Sequence, residues 1–170
     1  MQIKKLTSVK MIVAVISPLL FFSNSVQAED APSTTIKRLT MESANAAALA
    51  TIEACRKEGV QITATVVDKN GLVQAIMRDT LAPHVSIDIS RMKAYTAVNF
   101  STDTSALISR SDTSIGRIDG LVMSAGGAII NVGGTIYGAV GVSGAPSGET
   151  DEKCAKAGVA AIAEDLEMAD

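Results

Sequence analysis

The stretch VQITATVVDKNGLVQAIMRD, residues 60–79, decides the fold. Its first half alternates and is rich in β-branched residues, so it reads as a strand. Asp68-Lys69-Asn70-Gly71 is a tight turn, and LVQAIMRD is a second strand. Together they predict a β-hairpin. A second hairpin follows in GGAIINVGGTIYGAVGVSG, residues 126–144, with Gly133-Gly134 as its turn.

Helical segments surround the hairpins. MESANAAALATIEACRKEG, residues 41–59, is an Ala-rich helix with Thr40 as its cap, Glu42 in the first turn and Gly59 as its stop. It places Met41, Ala44, Ala48, Ile52 and Cys55 on one face. IDISRMKAYTAVNF, residues 87–100, is a second helix capped by Ser86, with a narrow face of Ile87, Ala94, Ala97 and Val98. Small residues there let a helix sit close to a sheet. A short helix is expected around Thr104 to Arg110. GETDEKCAKAGVAAIAEDLEM, residues 148–168, is the last helix, with Thr150 as the expected cap and Ala155, Val159 and Ile162 inward. Two hairpins cannot make a parallel sheet by themselves, so the fold class is α+β: an antiparallel sheet packed with helices.

The N-terminus reads as a leader. Lys4, Lys5 and Lys10 precede an apolar run from Met11 to Phe22, and Val26-Gln27-Ala28 is a small-residue cleavage site. The run is short for a membrane span, which needs roughly 20 apolar residues. Residues 1–28 are therefore expected to be a signal peptide, 29–38 a flexible tail, and 39–170 a single domain, with the protein periplasmic or secreted. Removing 28 residues from 170 leaves 142, enough for one core. Three of the 15 Lys and Arg leave with the leader, against 18 Asp and Glu, for a net charge of −6. No Lys/Arg cluster remains, which argues against nucleic acid as a partner. No later segment reads as a membrane span.

Cys55 and Cys154 lie 99 residues apart on two predicted helices. An exported protein permits a disulfide. Buried free thiols are the alternative, and whether the helices touch decides between them.

RDTLAPHVSI, residues 78–87, holds the only histidine. His84 sits just outside the start of the second helix, where free amides favour anions such as propionates. Arg78, Arg91 and Lys93 offer further positive charge. Neutral imidazole is a common metal ligand, yet on the residues alone one histidine at a helix mouth reads more readily as a solvated or capping residue. Met92 and Tyr95 follow on nearly the same stripe. Eight helical residues span about 12 Å, whereas axial ligands lie about 4 Å apart across a metal. His84 and Met92 therefore cannot clamp one iron; a second ligand would come from another segment, another subunit or water. Thr102 and Thr104 open a hydroxyl-rich loop suited to a carboxylate or to capping. Asp79, Asp88, Lys93 and His84 raise acid–base chemistry as a weaker reading, since there is no Gly-x-Ser-x-Gly elbow and no His-Glu-x-x-His helix. The glycines from Gly138 to Gly148 lack a phosphate-loop ending.

Taken together, VVDKNG, the strand end at Arg78, APH, KAYTAV, TDTSAL, GGAII and GAVGVSGAPSGETDEKCAKAG resemble the GlcG/HbpS family of haem-binding-like proteins (the DUF336 domain), over roughly residues 39–168. The resemblance implies a profilin-like layered domain, an assembly into homo-oligomers, and a role as an exported binder of haem or a related tetrapyrrole, in capture, storage or sensing. It implies a non-covalent b-type haem as cofactor, with the histidine of the Ala-Pro-His segment, His84, as the metal ligand; Arg78, Arg91, Lys93, Tyr95 and Thr104, read from the sequence around it, are the expected cofactor-binding residues. A sensor protein is an implied partner. A non-haem small-molecule binder or sensor accessory is the alternative, and an enzyme on a small organic acid or on haem is the lesser one. Many relatives carry a proline where this chain has Ala128-Ile129-Ile130, which bears on the shape of the adjoining pocket.

Overall fold

The computed structural model describes residues 32–169, so the expected leader and its cleavage site lie outside the described residues. The chain divides into two units, Met1–Thr34 and Thr35–Asp170, and the architecture below is that of the second. Its order is α1 (Met41–Lys57), β1 (Thr63–Asp68), β2 (Val73–Arg78), α2 (Ser86–Phe100), 3-10 helices at Thr104–Arg110 and Ile115–Arg117, β3 (Gly127–Val132), β4 (Thr135–Ser143) and α3 (Gly148–Met168). Both expected hairpins form. The sheet is antiparallel, in the order β2-β1-β4-β3.

Three layers result. Ala64, Val66, Ala75, Ile130, Val140 and Val142 face α1 and α3, where they meet Ala44, Ala48, Ile52, Ala155 and Ile162. The opposite face carries Val67 and Ala139 under Ala94, Ala97 and Val98 of α2. Every residue of β1 is buried, because helices cover both of its faces. Its α2-side hydroxyls would be costly there without partners. Thr63 meets Ser86 Oγ at 2.6 Å and Thr65 meets Ser90 Oγ at 2.8 Å. Gly141 lets α2 approach: an added Cβ would strike Ser90 O, and Ala94 Cβ at 2.9 Å.

Three local expectations are corrected. Ser86 does not cap α2; it is the first helical residue, and its hydroxyl donates back to Pro83 O and faces the sheet. The α3 cap is Ser147, whose Oγ accepts from the Thr150 amide at 3.2 Å. Met41 lies at the solvent end of its stripe and is 62% exposed. Thr40 caps α1 as expected, accepting from Ser43 N.

The helices α1 and α3 do touch. Gly158 lies against Ala47 O and Thr51, and Cys55 and Cys154 join in a disulfide with a Cα–Cα distance of 5.4 Å. The bridge closes a 99-residue loop, long enough to remove substantial entropy from the unfolded chain. Replacing both cysteines with serine is expected to lower unfolding free energy by about 2–5 kcal/mol in urea titrations. Unfolded, unreduced protein should label no thiols. Gly141→Ala should cost about 2–3 kcal/mol, since backbone of α2 rather than a flexible side chain stands in the way; an unchanged midpoint would mean that α2 shifts freely on the sheet.

Candidate functional site

The register shows what lies beside α2. Arg78 pairs with Thr63, and Ile76 with Thr65. Since Thr63 meets Ser86 and Thr65 meets Ser90, the α2-side face of β2 runs alongside the first turns of α2. One flank of α2, with Lys93 and Thr96, turns to β3 and the preceding loop: Thr96 Oγ1 accepts from Val122 N at 2.9 Å. The other flank is marked by Tyr95, which covers Gly71 so closely that a Cβ there would meet its ring at 2.7 Å. Asp88 and Arg91, seven and four residues before Tyr95, share that stripe.

On this flank β2 is left uncovered. Val73 and Ile76 are 44% and 43% exposed. The connection 79–85 climbs from β2 to α2 and ends the ledge, with Leu81 at 77%, Val85 at 58%, and His84 exposed between them. The His84 carbonyl accepts from Ile87 N, while its imidazole has no hydrogen-bond partner among the described residues. Arg78 spends its guanidinium on the carbonyls of Thr80 and Ala82, and Arg91 has no carboxylate partner among the described residues. Exposed Val73, Ile76, Leu81 and Val85, two arginines without carboxylate partners among the described residues and the His84 imidazole thus belong to β2, its connection to α2 and the first turns of α2. Such a surface suits a flat apolar ligand that carries carboxylates and can accept an imidazole ligand.

Of the expected site residues, Arg78, His84 and Arg91 lie on β2, its connection to α2 and the first turns of α2, whereas Tyr95 lies farther along α2, against Gly71 and beside Asn99, Ile118 and Leu121. Lys93 and Thr104 lie on the opposite flank. Lys93 Nζ donates to Asp151 Oδ2 at 2.9 Å, with both side chains about 95% buried (5% and 4% exposed). Thr104 Oγ1 accepts from Gly127 N at 2.8 Å. Among the described residues no three His, Cys, Asp or Glu side chains gather as a metal site. Sequence reasoning did not pick out Leu81, Val85, Val73 and Ile76. The signal was present in Leu81 and Val85, large apolar residues in the connection that holds the lone histidine.

The Lys93 flank is a closed polar network. Burial pushes the Asp151 carboxyl up from its ordinary value, against the pull of Lys93 and of the Ala145 amide. Burial also works to raise Glu152, but bonds from Ser105, Lys156 and Gly126 outweigh it and hold that carboxyl below its usual range. Lys156 is held charged by Glu152 and Asp103. These groups are occupied with one another and with the chain, so they organise β3 and the start of α3.

The two acids have opposite linkage. The lowered Glu152 value contributes stability above the ordinary 4.5, lost as pH falls through its folded value. The raised Asp151 value makes its ionisation unfavourable as pH climbs past 3.8. Glu152→Gln should therefore flatten the loss of stability below pH 4.5 in urea titrations. Asp151→Asn strands Lys93 and should cost about 3–5 kcal/mol at neutral pH. An E152Q acid limb as steep as the parent's would place the acid sensitivity elsewhere.

Comparison with known proteins gives the family. Residues 39–160 match the family described as "Haem degrading protein HbpS-like". Among solved structures, a double mutant of Streptomyces reticuli HbpS is 37% identical, with a TM-score of 0.72, covering 79% of this chain and 94% of that one. Klebsiella pneumoniae protein ORFY is 25% identical, with a TM-score of 0.71, covering 77% and 94%. PduOC, solved as a haem complex, is 26% identical, with a TM-score of 0.68, covering 74% and 96%. No curated protein matches. With its family match spanning well over half its length and its sheet and helices in the same arrangement, this chain belongs to the HbpS-like family.

Proposed function

We propose that this chain is an exported haem-binding protein that captures, stores or senses haem, and that the macrocycle lies on the ledge between α2 and β2. The observation that carries this reading is the exposure of Ile76, Leu81 and Val85 on β2 and its connection to α2, a connection that also holds an imidazole with no partner among the described residues. An apolar ring would cover that surface, which at about 25 cal/mol per Å² favours binding. His84 would be the iron ligand, and Arg78 and Arg91 would pair with the propionates. Tyr95 would border the ring at the far end of the ledge. Haem bound there would supply the iron chemistry, and the protein would set access and ligation. The haem complex of PduOC supports the ligand class.

Export, to the periplasm or the medium, is supported by the leader-like N-terminus and by the Cys55–Cys154 disulfide, which an oxidising compartment maintains. Among the described residues no helix is long and apolar enough to cross a membrane. We place the protein in a homo-oligomer that reports to, or exchanges haem with, a sensor protein. The family description names haem degradation, so consumption of the ligand is the second reading.

The test is a haem titration followed by absorbance, with His84→Ala in parallel. Saturable one-to-one binding is expected, with affinity reduced at least tenfold and the bands shifted in the variant. Arg78→Ala with Arg91→Ala should weaken binding while leaving the bands in place. Identical spectra for parent and H84A would remove His84 from the iron. Loss of the haem bands over time in the presence of a reductant would favour the degrading reading, whereas a carrier leaves its ligand intact.

A further inference from the structure

Tyr95, Phe100 and Tyr137 are the aromatic residues of the domain at 39–170. Tyr137 is buried in the core. The other two rings line the same cavity, of about 250 Å³, between the end of α2 and the segment that leads back to β3, together with Asn99, Ile118, Asp119 and Leu121.

Both walls are fixed. Gly71 lets one edge of the Tyr95 ring settle on the turn of the first hairpin, and the Asn99 amide donates to the Tyr95 carbonyl at 2.8 Å. Opposite, Ile118 to Leu121 form a tight turn. Leu121 N donates to Ile118 O at 3.2 Å, and Gly120 supplies the positive φ of 88° at its third position. Val122 N donates to Thr96 Oγ1 at 2.9 Å, which pins that turn to α2. Asp119 therefore stands exposed on a held turn, and its carboxylate has no hydrogen bond or ion pair among the described residues.

The charge at this cavity is negative. α2 ends here with no basic residue in its last turn, so its own side chains do not offset the negative end of its dipole. The carbonyls of Asn99 and Phe100 accept no backbone hydrogen bond among the described residues. Asp119 adds a full negative charge, and among the described residues no Lys or Arg belongs to the lining. Arg110 lies over Phe100, 5.8 Å from the ring centroid and outside that lining, so this ring already attracts one cation.

The kind of cation follows from what the lining can satisfy. A hard metal ion needs about six oxygen ligands, and the side chains here offer one carboxylate. A primary ammonium or a guanidinium brings N–H donors that each want an acceptor, whereas Tyr95, Phe100, Ile118 and Leu121 present mainly carbon. A quaternary ammonium has no N–H group, and its methyl groups pack well against rings and aliphatic side chains. We propose that this cavity binds a small quaternary ammonium ion of the choline type, its methyl groups against Tyr95 and Phe100 and its charge beside Asp119. The volume is below the roughly 300 Å³ at which sites for drug-sized ligands begin, which suits a ligand this small. Neither His84 nor Arg78 nor Arg91 lines the cavity.

Calorimetric titration of the haem-free protein with choline tests the proposal, and its outcome is independent of the haem reading. Saturable one-to-one binding is expected at millimolar or lower concentration. Neohexyl alcohol, the neutral isostere in which carbon replaces the charged nitrogen, should bind about tenfold more weakly, and so should ethanolamine. Asp119→Asn, at an exposed turn position, and Phe100→Leu should each weaken choline binding by about three- to tenfold. Co-sedimentation with phosphatidylcholine vesicles but not with phosphatidylglycerol vesicles would identify the cation as a lipid headgroup; binding of choline without the vesicles would identify a free solute. No saturation at millimolar choline would overturn the proposal. So would an isostere or ethanolamine that binds as tightly as choline, or a D119N variant indistinguishable from the parent.

Discussion

Close approach of α2 to the middle of the sheet is the constraint on which the rest depends. Gly141 removes the side chain that would hold the helix off, and Ala94 and Ala97 meet the strands with nothing larger than a methyl group. Two hydroxyl pairs, Thr63–Ser86 and Thr65–Ser90, fix its position along the strands. A helix seated this tightly over β1 and β4 is too narrow to roof four strands. β2 is therefore left bare on that side, and the bare strip adjoins the only histidine. The same seating drives Lys93 into the interior on the opposite flank, where Asp151 must neutralise it. A buried lysine without that partner would be prohibitive, which ties α2 to α3 across β3.

The other face is held by different means. The α1–α3 contact is built from alanines, Gly158 and one disulfide. Small side chains bury little area each, so a crosslink that restricts the unfolded chain is a proportionate supplement in a domain poor in aromatic residues. The bridge also keeps α1 and α3 fixed while the α2 side remains available for a ligand. Stability and the candidate ledge thus lie on opposite faces of one sheet.

Much of this was legible in the sequence. Both hairpins, the three long helices and the 3-10 segment at Thr104–Arg110 followed from alternation, turn residues and caps. The capping errors at Ser86 and Thr150 share a cause. A serine or threonine before a helix reads as a cap whatever its hydroxyl faces, and Ser86 faces the sheet. Lys93 misleads for a related reason: its charge suggests an exposed or ligand-binding role, and only the tertiary fold brings Asp151, 58 residues away, to meet it. The local sequence placed Arg78, His84, Arg91 and Tyr95 near the start of one helix. The ledge could not be read there, because it depends on which face of β2 the helix leaves uncovered. The disulfide stayed open for the same reason, since it turns on whether two helices 99 residues apart touch.

The central claim is that His84 is the group presented to iron. Because the chain has one histidine, ¹⁵N-histidine labelling marks that residue alone. Pulsed electron paramagnetic resonance of the ferric haem complex of the labelled protein measures its coupling to the metal directly. The account predicts a ¹⁵N hyperfine coupling of a directly bound imidazole. A saturated haem complex without that coupling would contradict it.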